Sequence, residues 1–453
     1  MPQPLVMACV SDIAGQVRGK GFAMSDLEKR CRNGVGWTPT NVQITCFDGI
    51  APSPYGSEGD LILVPDPQAL FIADIPEAAS LRMILGDVKD RHGAAWSCCL
   101  RSHLRDAIKR LETASGLEAR VSFEHEFMLT DLGCGSAFSL AGFHKAQAFA
   151  EALMEALSQA GLEPDSFLRE FGPAQFEVTL APKPALRAAD EAIVLREITR
   201  AVARSFGFHA TFAPILDADS VGNGVHVHMS FWGMDGEPQT HDPDGMAGLS
   251  TPAGSAAAGI VRHMPDFVAL TAPSAVSFVR LQPHRWSASF ANLAVQDREA
   301  GLRICPVSAS DPAGVARQYN YEYRAADATA SPWLALAALI HAAAAGIEKS
   351  MPCPEPTSGD LSLLSDAELE TAGVAALPRT ADAALQRLAE APLGAWFPDG
   401  FVGIYADHKR HEFTACEGVA QSALMAQRRL QAHMVQCESS PDGRSLQRIS
   451  RRA

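Results

Sequence analysis

Glu124 and Glu126 stand two residues apart in the segment Val121-Ser122-Phe123-Glu124-His125-Glu126-Phe127-Met128-Leu129. On a β-strand, successive side chains alternate between faces. The two carboxylates therefore share one face while Val121, Phe123, Phe127 and Leu129 share the other. Like charges this close repel each other unless a cation lies between them. The same design recurs in Gln175-Phe176-Glu177-Val178, in Val225-His226-Val227-His228-Met229-Ser230-Phe231 and in Tyr319-Asn320-Tyr321-Glu322-Tyr323-Arg324. Solvated strand faces would carry Lys and Thr as readily as Glu and His, and Lys is absent from all four segments. Together they predict the wall of a polar cavity that holds cations.

The donors on offer are Glu124, Glu126, Glu170, Glu177, Glu322 and His226. A set dominated by carboxylate oxygen suits Mg²⁺ or Mn²⁺ rather than zinc, which favours Cys and more His. The acids exceed what a single divalent ion needs, so two or three ions are expected. Divalent ions that bridge phosphates are the usual apparatus of phosphoryl transfer. Arg280, Arg298, Arg303, Arg317 and Arg324 supply guanidinium forks that match phosphate and carboxylate oxygens. Gly15-Gln-Val-Arg-Gly-Lys-Gly lacks both the spacing and the Ser/Thr of a phosphate-cradling loop, so arginines and metals would have to bind the nucleotide.

Positioning these groups is the task of the surrounding elements, and the class they predict is α+β. Short apolar runs at Leu5–Val10, Val42–Phe47, Leu61–Val64 and Leu70–Ile75, separated by glycines and by Pro52-Ser53-Pro54, predict a small strand-rich domain over residues 1–105. Leu104, Ile108 and Leu111 have helical spacing within an expected helix Arg101–Leu117. Further helices are expected at Phe143–Ala160, Leu186–Phe206, Ala253–Met264, Trp333–Ile347 (buried), Ala381–Glu390 and Glu412–Met434. These alternate with strands in a large domain over 106–437. Residues 438–453, with Arg444, Arg448, Arg451 and Arg452, read as a disordered basic tail.

Composition narrows the function. The chain has 453 residues, 47% apolar and 20% charged, as expected of a soluble globular protein with a large core. A net charge of −14 argues against a nucleic-acid partner. No apolar stretch is long enough to span a bilayer, and no basic stretch precedes an apolar run at the N-terminus. The ten cysteines include no CxxC pair, which fits reduced thiols in the cytoplasm better than disulfides or zinc.

Glu124-x-Glu126-Phe, Glu170-Phe-Gly-Pro-Ala-Gln-Phe-Glu177, Gly222-Asn-Gly-Val-His226-Val-His228-Met-Ser230, Arg280-Leu-x-Pro, Asp297-Arg298…Arg303-Ile and Glu322-x-Arg324 follow one another as they do in the glutamine synthetase family. The resemblance runs from about residue 8 to residue 435. It implies an N-terminal β-grasp domain and a catalytic domain with a curved antiparallel sheet flanked by helices. It also implies a homo-oligomeric ring, a dodecamer of two hexamers, with active sites shared between subunits. Carried over by position, Glu126, Glu170 and Glu177 would hold one ion, and Glu124, His226 and Glu322 a second. His228, Ser230, Arg298, Arg303 and Arg317 would line the ATP site. Arg280 and Arg324 would grip the carboxylate substrate, with Gly222 at its amino-acid end. Asp12 would reach across the subunit interface and, with Glu170, deprotonate the incoming amine.

The sequence leaves the family pattern in three places. Trp286 stands where the family's flap carries a glutamate, Val221 where it carries an asparagine, and Ile215 where it carries a lysine. A tryptophan removes a charge suited to ammonium and adds a large apolar surface. The expectation is therefore ATP-dependent ligation of the γ-carboxylate of glutamate to an organic amine through γ-glutamyl phosphate. Glutamine synthesis from ammonia is the alternative, and a catalytically silent relative is a third. The complete ligand set argues against the third.

Overall fold

The computed structural model of the protein describes residues 3–133, 135–393 and 395–416. β1 (Leu5–Ser11) and β2 (Val17–Ala23) form an antiparallel hairpin, and β3 (Val35–Trp37), β4 (Leu61–Ala73) and β5 (Leu81–Lys89) complete a sheet of order β2-β1-β5-β4-β3. β1 and β5 run parallel at its centre, the mixed arrangement of a β-grasp domain. Leu5–Ser11 alternates exposed and buried side chains before it turns inward, so one face of the sheet lies on the rest of the protein.

The second sheet contains β6 (Leu117–Leu129), β7 (Pro164–Arg169), β8 (Gln175–Leu180), β9 (Lys183–Pro184), β10 (Ala210–Thr211), β11 (Val225–Gly233), β13 (Leu293–Val295), β14 (Leu302–Ile304) and β15 (Tyr321–Ala326). The main order is β13-β14-β15-β11-β6-β8-β7, and the short β9 and β10 pair with β6. Among the described residues its pairings are antiparallel except β13 with β14. A small ribbon, β12 (Phe290–Ala291) with β16 (Ala375–Ala376), lies apart.

Helices cover the apolar side. The helix Pro332–Glu348 is buried from Pro332 through Gly346, as its nearly all-apolar sequence requires. It packs against the helices Leu100–Ser115 and Thr251–Thr271. The crossing with Thr251–Thr271 is close because glycines meet there. A Cβ on Gly259 would come 2.1 Å from Ala342 O, and one on Gly346 would come 2.0 Å from Ser255 O. Arg101 is 1% exposed at the joint between the two domains, and it holds Asp66 on β4, Asp87 on β5 and Asp190 on the helix Ala185–Ser205. A fully buried guanidinium is tolerable only with such partners.

The fold class is the expected α+β, and several elements differ from their expected bounds. Val42–Phe47 is not a strand: Pro39–Gln43 forms a 3₁₀ helix, because Pro39 occupies its first turn and the Thr38 hydroxyl accepts the Thr40 N–H. Leu61–Val64 and Leu70–Ile75 are two halves of β4, interrupted by a register shift between Pro65 and Leu70. Such a bulge accommodates a proline that cannot join the ladder. The helix expected at Ala253–Met264 runs over Thr251–Thr271, capped by Ser250 and continuing through Pro265. The expected domain division at residue 105 falls inside the unbroken helix Leu100–Ser115, which ends before Leu117 at Gly116. The last described helix is Phe401–Thr414, and most of the expected Glu412–Met434 and all of the tail 438–453 lie outside the described residues.

Candidate active site

Strand register alone assembles most of the polar cluster. Glu124 on β6 stands opposite His226 on β11, and Glu126 stands opposite Glu177 on β8. Glu322 on β15 faces His228 on β11 from one side and Arg303 on β14 from the other. Directly opposed residues of antiparallel strands have neighbouring Cβ atoms, so each pair meets on the polar face. His125, between the two glutamates, points to the apolar face and packs against Phe123 and Phe212.

His226 Nδ1 lies 2.5 Å from Glu124 Oε1, and His228 Nε2 lies 3.3 Å from Glu124 Oε2. Burial opposes charge on Glu124, but His226 and then His228 outweigh it and hold the carboxyl well below its usual range. Glu177 goes the other way. Burial first, then the charges of Glu124, Glu126 and Glu170, push it up to about 10. Glu170 is raised by burial and by Glu126. Crowded carboxylates that cannot all ionise are the electrostatic mark of a site built for cations. The donor set therefore fits divalent metal.

Two groups are tight enough to share an ion: Glu124 with Glu177 and His226, and His228 with Cys305 and Glu322. The first group draws Glu177 from one expected ligand set and Glu124 and His226 from the other, while Glu126 and Glu170 lie outside both groups. Glu126 instead accepts the Gly224 N–H at 2.6 Å, and Glu170 accepts the Phe171 N–H at 3.0 Å. Both, with His226, line a cavity together with Phe171, Gln175, Val221, Gly222, Arg280, Arg285 and Trp286.

Arg280 is 2% exposed, and its Nη1 and Nη2 donate to Ser287 Oγ at 3.1 Å and Ala326 O at 2.6 Å. Its Nε has no partner among the described residues. A buried guanidinium whose N–H groups are not all paired has donors left for a carboxylate. Gly222 makes room for it, since a Cβ there would lie 2.7 Å from Arg280 Cγ and 2.2 Å from Pro214 O. Arg324, expected to grip the carboxylate substrate with Arg280, is 3% exposed. It donates to Glu322, to Arg298 O at 2.9 Å and to Trp286 O at 3.2 Å.

Towards the expected nucleotide end, Arg303 is buried and donates to Glu322 Oε2 at 2.8 Å, while Arg298 and Arg317 are exposed. Burial opposes charge on Glu322, yet Arg324, His226 and His228 bring its carboxyl down to about 2. Ser230 Oγ accepts from Trp232 Nε1 at 3.0 Å.

Asp12, expected to reach across a subunit interface, is held within its own chain. Its side chain is 7% exposed, and it accepts from Arg18 Nε at 2.6 Å and from the Gln16 N–H at 2.8 Å, closing the β1–β2 turn. The same Arg18 also approaches Asp48 at 3.5 Å, and that side chain is 60% exposed. Of the pair, Asp48 is the exposed one.

The flap is held by two residues that the sequence reading missed, Phe171 and Glu299. Trp286 and His284 sit at φ 52° and 62°, conformations that cost a bulky side chain energy. Both of their N–H groups donate to the Glu299 carboxylate, each at 3.1 Å. The Trp286 ring meets Phe171 edge-on at 5.1 Å. Phe171 and Glu299 directly follow the singled-out Glu170 and Arg298, but nothing in their spacing announces a shared flap.

Cation-hungry carboxylates beside guanidinium groups suit transfer of a phosphoryl group to a carboxylate, the first half-reaction of the ATP-dependent ligases that form C–N bonds. Sequence models of the glutamine synthetase N-terminal domain and catalytic domain match residues 2–96 and 97–426. The chain belongs to the glutamine synthetase family. It is 32% identical to a γ-glutamylpolyamine synthetase of Streptomyces coelicolor, over 83% of this chain and 82% of that one. It is 29% identical to a glutamine synthetase of Methanocaldococcus jannaschii, over 84% of each. A solved structure described as a novel glutamine synthase homolog superposes with a TM-score of 0.87 at 38% identity, covering 95% of this chain and 99% of that one. As a family member the protein is an ATP-dependent ligase that uses small-molecule substrates and divalent metal. Among the described residues no helix is long and apolar enough to cross a membrane.

Proposed function

We propose that the protein joins the γ-carboxylate of glutamate to an organic amine, with γ-glutamyl phosphate as intermediate and ADP and phosphate as products. The observation that carries this reading is the aromatic pair Trp286 and Phe171 at the cavity that Glu126 and Glu170 also line. The carboxylates favour a cationic amine, and the rings favour one with an apolar body, which ammonium lacks. The 32% identity to a γ-glutamylpolyamine synthetase supports an organic amine, while the glutamine synthetase relatives keep ammonia as the competing co-substrate.

Each residue of the cluster has a role in this reading. Arg280 Nε receives the glutamate carboxylate beside Gly222, which orients the γ-carboxylate towards the acid cluster. Divalent cations held by Glu124, Glu126, Glu170, Glu177, His226 and Glu322 would neutralise charge on the phosphates. Arg303, with the exposed Arg298 and Arg317, adds positive charge where the phosphoryl group transfers. The γ-carboxylate oxygen attacks the γ-phosphorus of ATP, and ADP leaves. The amine nitrogen then attacks the acyl carbon and phosphate leaves. The amine must first lose its ammonium proton, since only the neutral form has a lone pair. Glu170 would accept it, with the exposed Asp48 of a neighbouring subunit rather than the occupied Asp12. The flap excludes water that would hydrolyse the acyl phosphate.

The test is phosphate release by the purified enzyme with glutamate, ATP and Mg²⁺ across a panel of alkyl, aryl and polyamines alongside ammonium. Faster release with an organic amine is expected. Equal or faster release with ammonium would make the protein a glutamine synthetase, and ATP binding with no turnover on the whole panel would make it a silent relative.

A further inference from the structure

Cys305 belongs to no sequence motif, yet the fold carries it into the nucleotide end of the cluster. It follows the last residue of β14 and is 8% exposed. Its Sγ lies 3.0 Å from Glu322 Oε2 and 3.6 Å from His228 Nδ1. His228 Nε2 lies 3.8 Å from Glu322 Oε2, and the three residues offer ligand atoms within 4.8 Å of one another. A tetrahedral zinc ion with bonds of about 2.0–2.3 Å spaces its ligands roughly 3.3–3.8 Å apart. Sγ to Oε2 and Nε2 to Oε2 stand near that spacing already.

A neighbouring side chain supports the same reading. Asn320 Nδ2 donates to Gln318 O at 2.9 Å, which turns its Oδ1 towards His228 Nδ1 at 3.0 Å. Nδ1 therefore carries a proton, and Nε2 is the nitrogen left to bind a metal. An imidazole oriented by a second hydrogen bond is the usual support of a metal-ligating histidine. Arg303 Nη1 now holds Glu322 Oε2 at 2.8 Å, so a positive group already faces this carboxylate. The neighbouring Glu124, Glu177 and His226 group offers no sulfur, whereas a thiolate selects softer ions than Mg²⁺.

We propose that His228, Cys305 and Glu322 form a site for a thiophilic divalent cation such as zinc, adjacent to the acid-rich group and distinct from it in ligand chemistry. On binding, the Cys305 thiol releases its proton to solvent. The cation then bonds Sγ, Nε2 and Oε2, and a water completes the tetrahedron. Binding draws Glu322 away from Arg303 and His228 away from Glu124, so it competes with the arrangement that serves the nucleotide.

Cobalt(II) gives a direct readout, because a thiolate bound to it produces a strong near-ultraviolet charge-transfer band that oxygen and nitrogen ligands do not. The full-length protein is titrated with cobalt(II) under excess Mg²⁺, which occupies the acid-rich group. The band should rise to one equivalent, disappear when zinc is added, and be missing from Cys305→Ser. Zinc affinity, measured against a chromogenic chelator, should fall at least about 100-fold in that variant, because loss of an outer partner of a ligand alone costs 10–100-fold. In the unmutated protein, zinc should also protect Cys305 from alkylation, read by peptide mass spectrometry, which does not depend on any variant folding. No band in the unmutated protein, a band that persists in Cys305→Ser, or unprotected Cys305 would overturn the site. None of these readouts involves an amine, so their outcome is separate from that of the ligase assignment.

Discussion

At the scale of single residues, Trp286 concentrates the question of specificity. Trp286 at positive φ is held by Glu299 through its own N–H and that of His284, and by the contact of its indole with Phe171. Strain of this kind persists only where the surroundings over-determine it. Trp286→Glu would restore a charge near Glu126 and Glu170 and remove the apolar surface. The ratio of kcat/KM for ammonium to that for the best organic amine should rise about 10-fold or more, the range that one pocket contact supplies. An unchanged ratio would move specificity away from the flap. Glu126 tests the other half of the site. Its carboxylate faces Glu177 across β6 and β8 and accepts the Gly224 N–H. Glu126→Ala should cut phosphate release by about 1,000-fold or more with every amine, because one positioned electrostatic group at a reacting phosphoryl is worth that much. Substantial residual release would remove Glu126 from the phosphoryl-transfer apparatus.

At the scale of elements, the helix Phe401–Thr414 positions a distant turn. Glu412 is 2% exposed, pairs with Lys409 at 2.9 Å and accepts the Cys46 N–H at 2.6 Å, while His408 Nε2 lies 3.3 Å from Ile44 O. These contacts anchor the segment that leads into Asp48. Burial opposes charge on Glu412, but Lys409 and His408 outweigh it and bring its carboxyl from 4.5 to about 2. A carboxyl depressed on folding stabilises the protein above its unfolded value, and that contribution disappears as pH falls through the folded one. The protein should thus lose about 3 kcal/mol through this group between pH 5 and pH 2. Glu412→Gln should be less stable at pH 7 by about 3 kcal/mol and show a flatter acid limb in denaturant midpoints, since it leaves Lys409 buried and unpaired. Parallel acid limbs would show that the pair carries no such linkage. The same scale explains how much of the site was legible in the sequence. Period-2 alternation gave the polar faces of β6, β8, β11 and β15, because each face is a local property. It could not give which acids and histidines come within reach of one another, which depends on pairing β6 with β11 across about a hundred residues. Nor could it give the neighbours of Cys305, or the choice Arg18 makes between a buried Asp12 and an exposed Asp48. Those are properties of register and packing.

At the scale of the whole molecule, the exposed acids and arginines bear on whether one chain is a complete enzyme. Asp48 lies in the loop between β3 and β4, in the β-grasp domain, and its side chain is 60% exposed. Arg298 and Arg317 are exposed in the catalytic domain. Groups placed outside their own chain's cluster have a use if another subunit completes the site, the arrangement the family resemblance implies for a closed ring. Closed rings with heterologous interfaces put one surface of each subunit against a different surface of the next. Two inactive variants would then repair each other. Asp48→Ala removes the acid on one side of the interface and Glu126→Ala removes a cluster residue on the other. In an equal, randomly assembled mixture, about a quarter of the sites would combine an intact Asp48 with an intact Glu126. Co-expressed variants should therefore recover roughly a quarter of the unmutated rate of phosphate release, while each variant alone stays near background. Mixing the separately assembled variants should recover nothing until the subunits exchange. No recovery on co-expression would confine the active site to one chain and return the amine's proton to Glu170 alone, whereas full activity in Asp48→Ala by itself would remove that acid from the reaction.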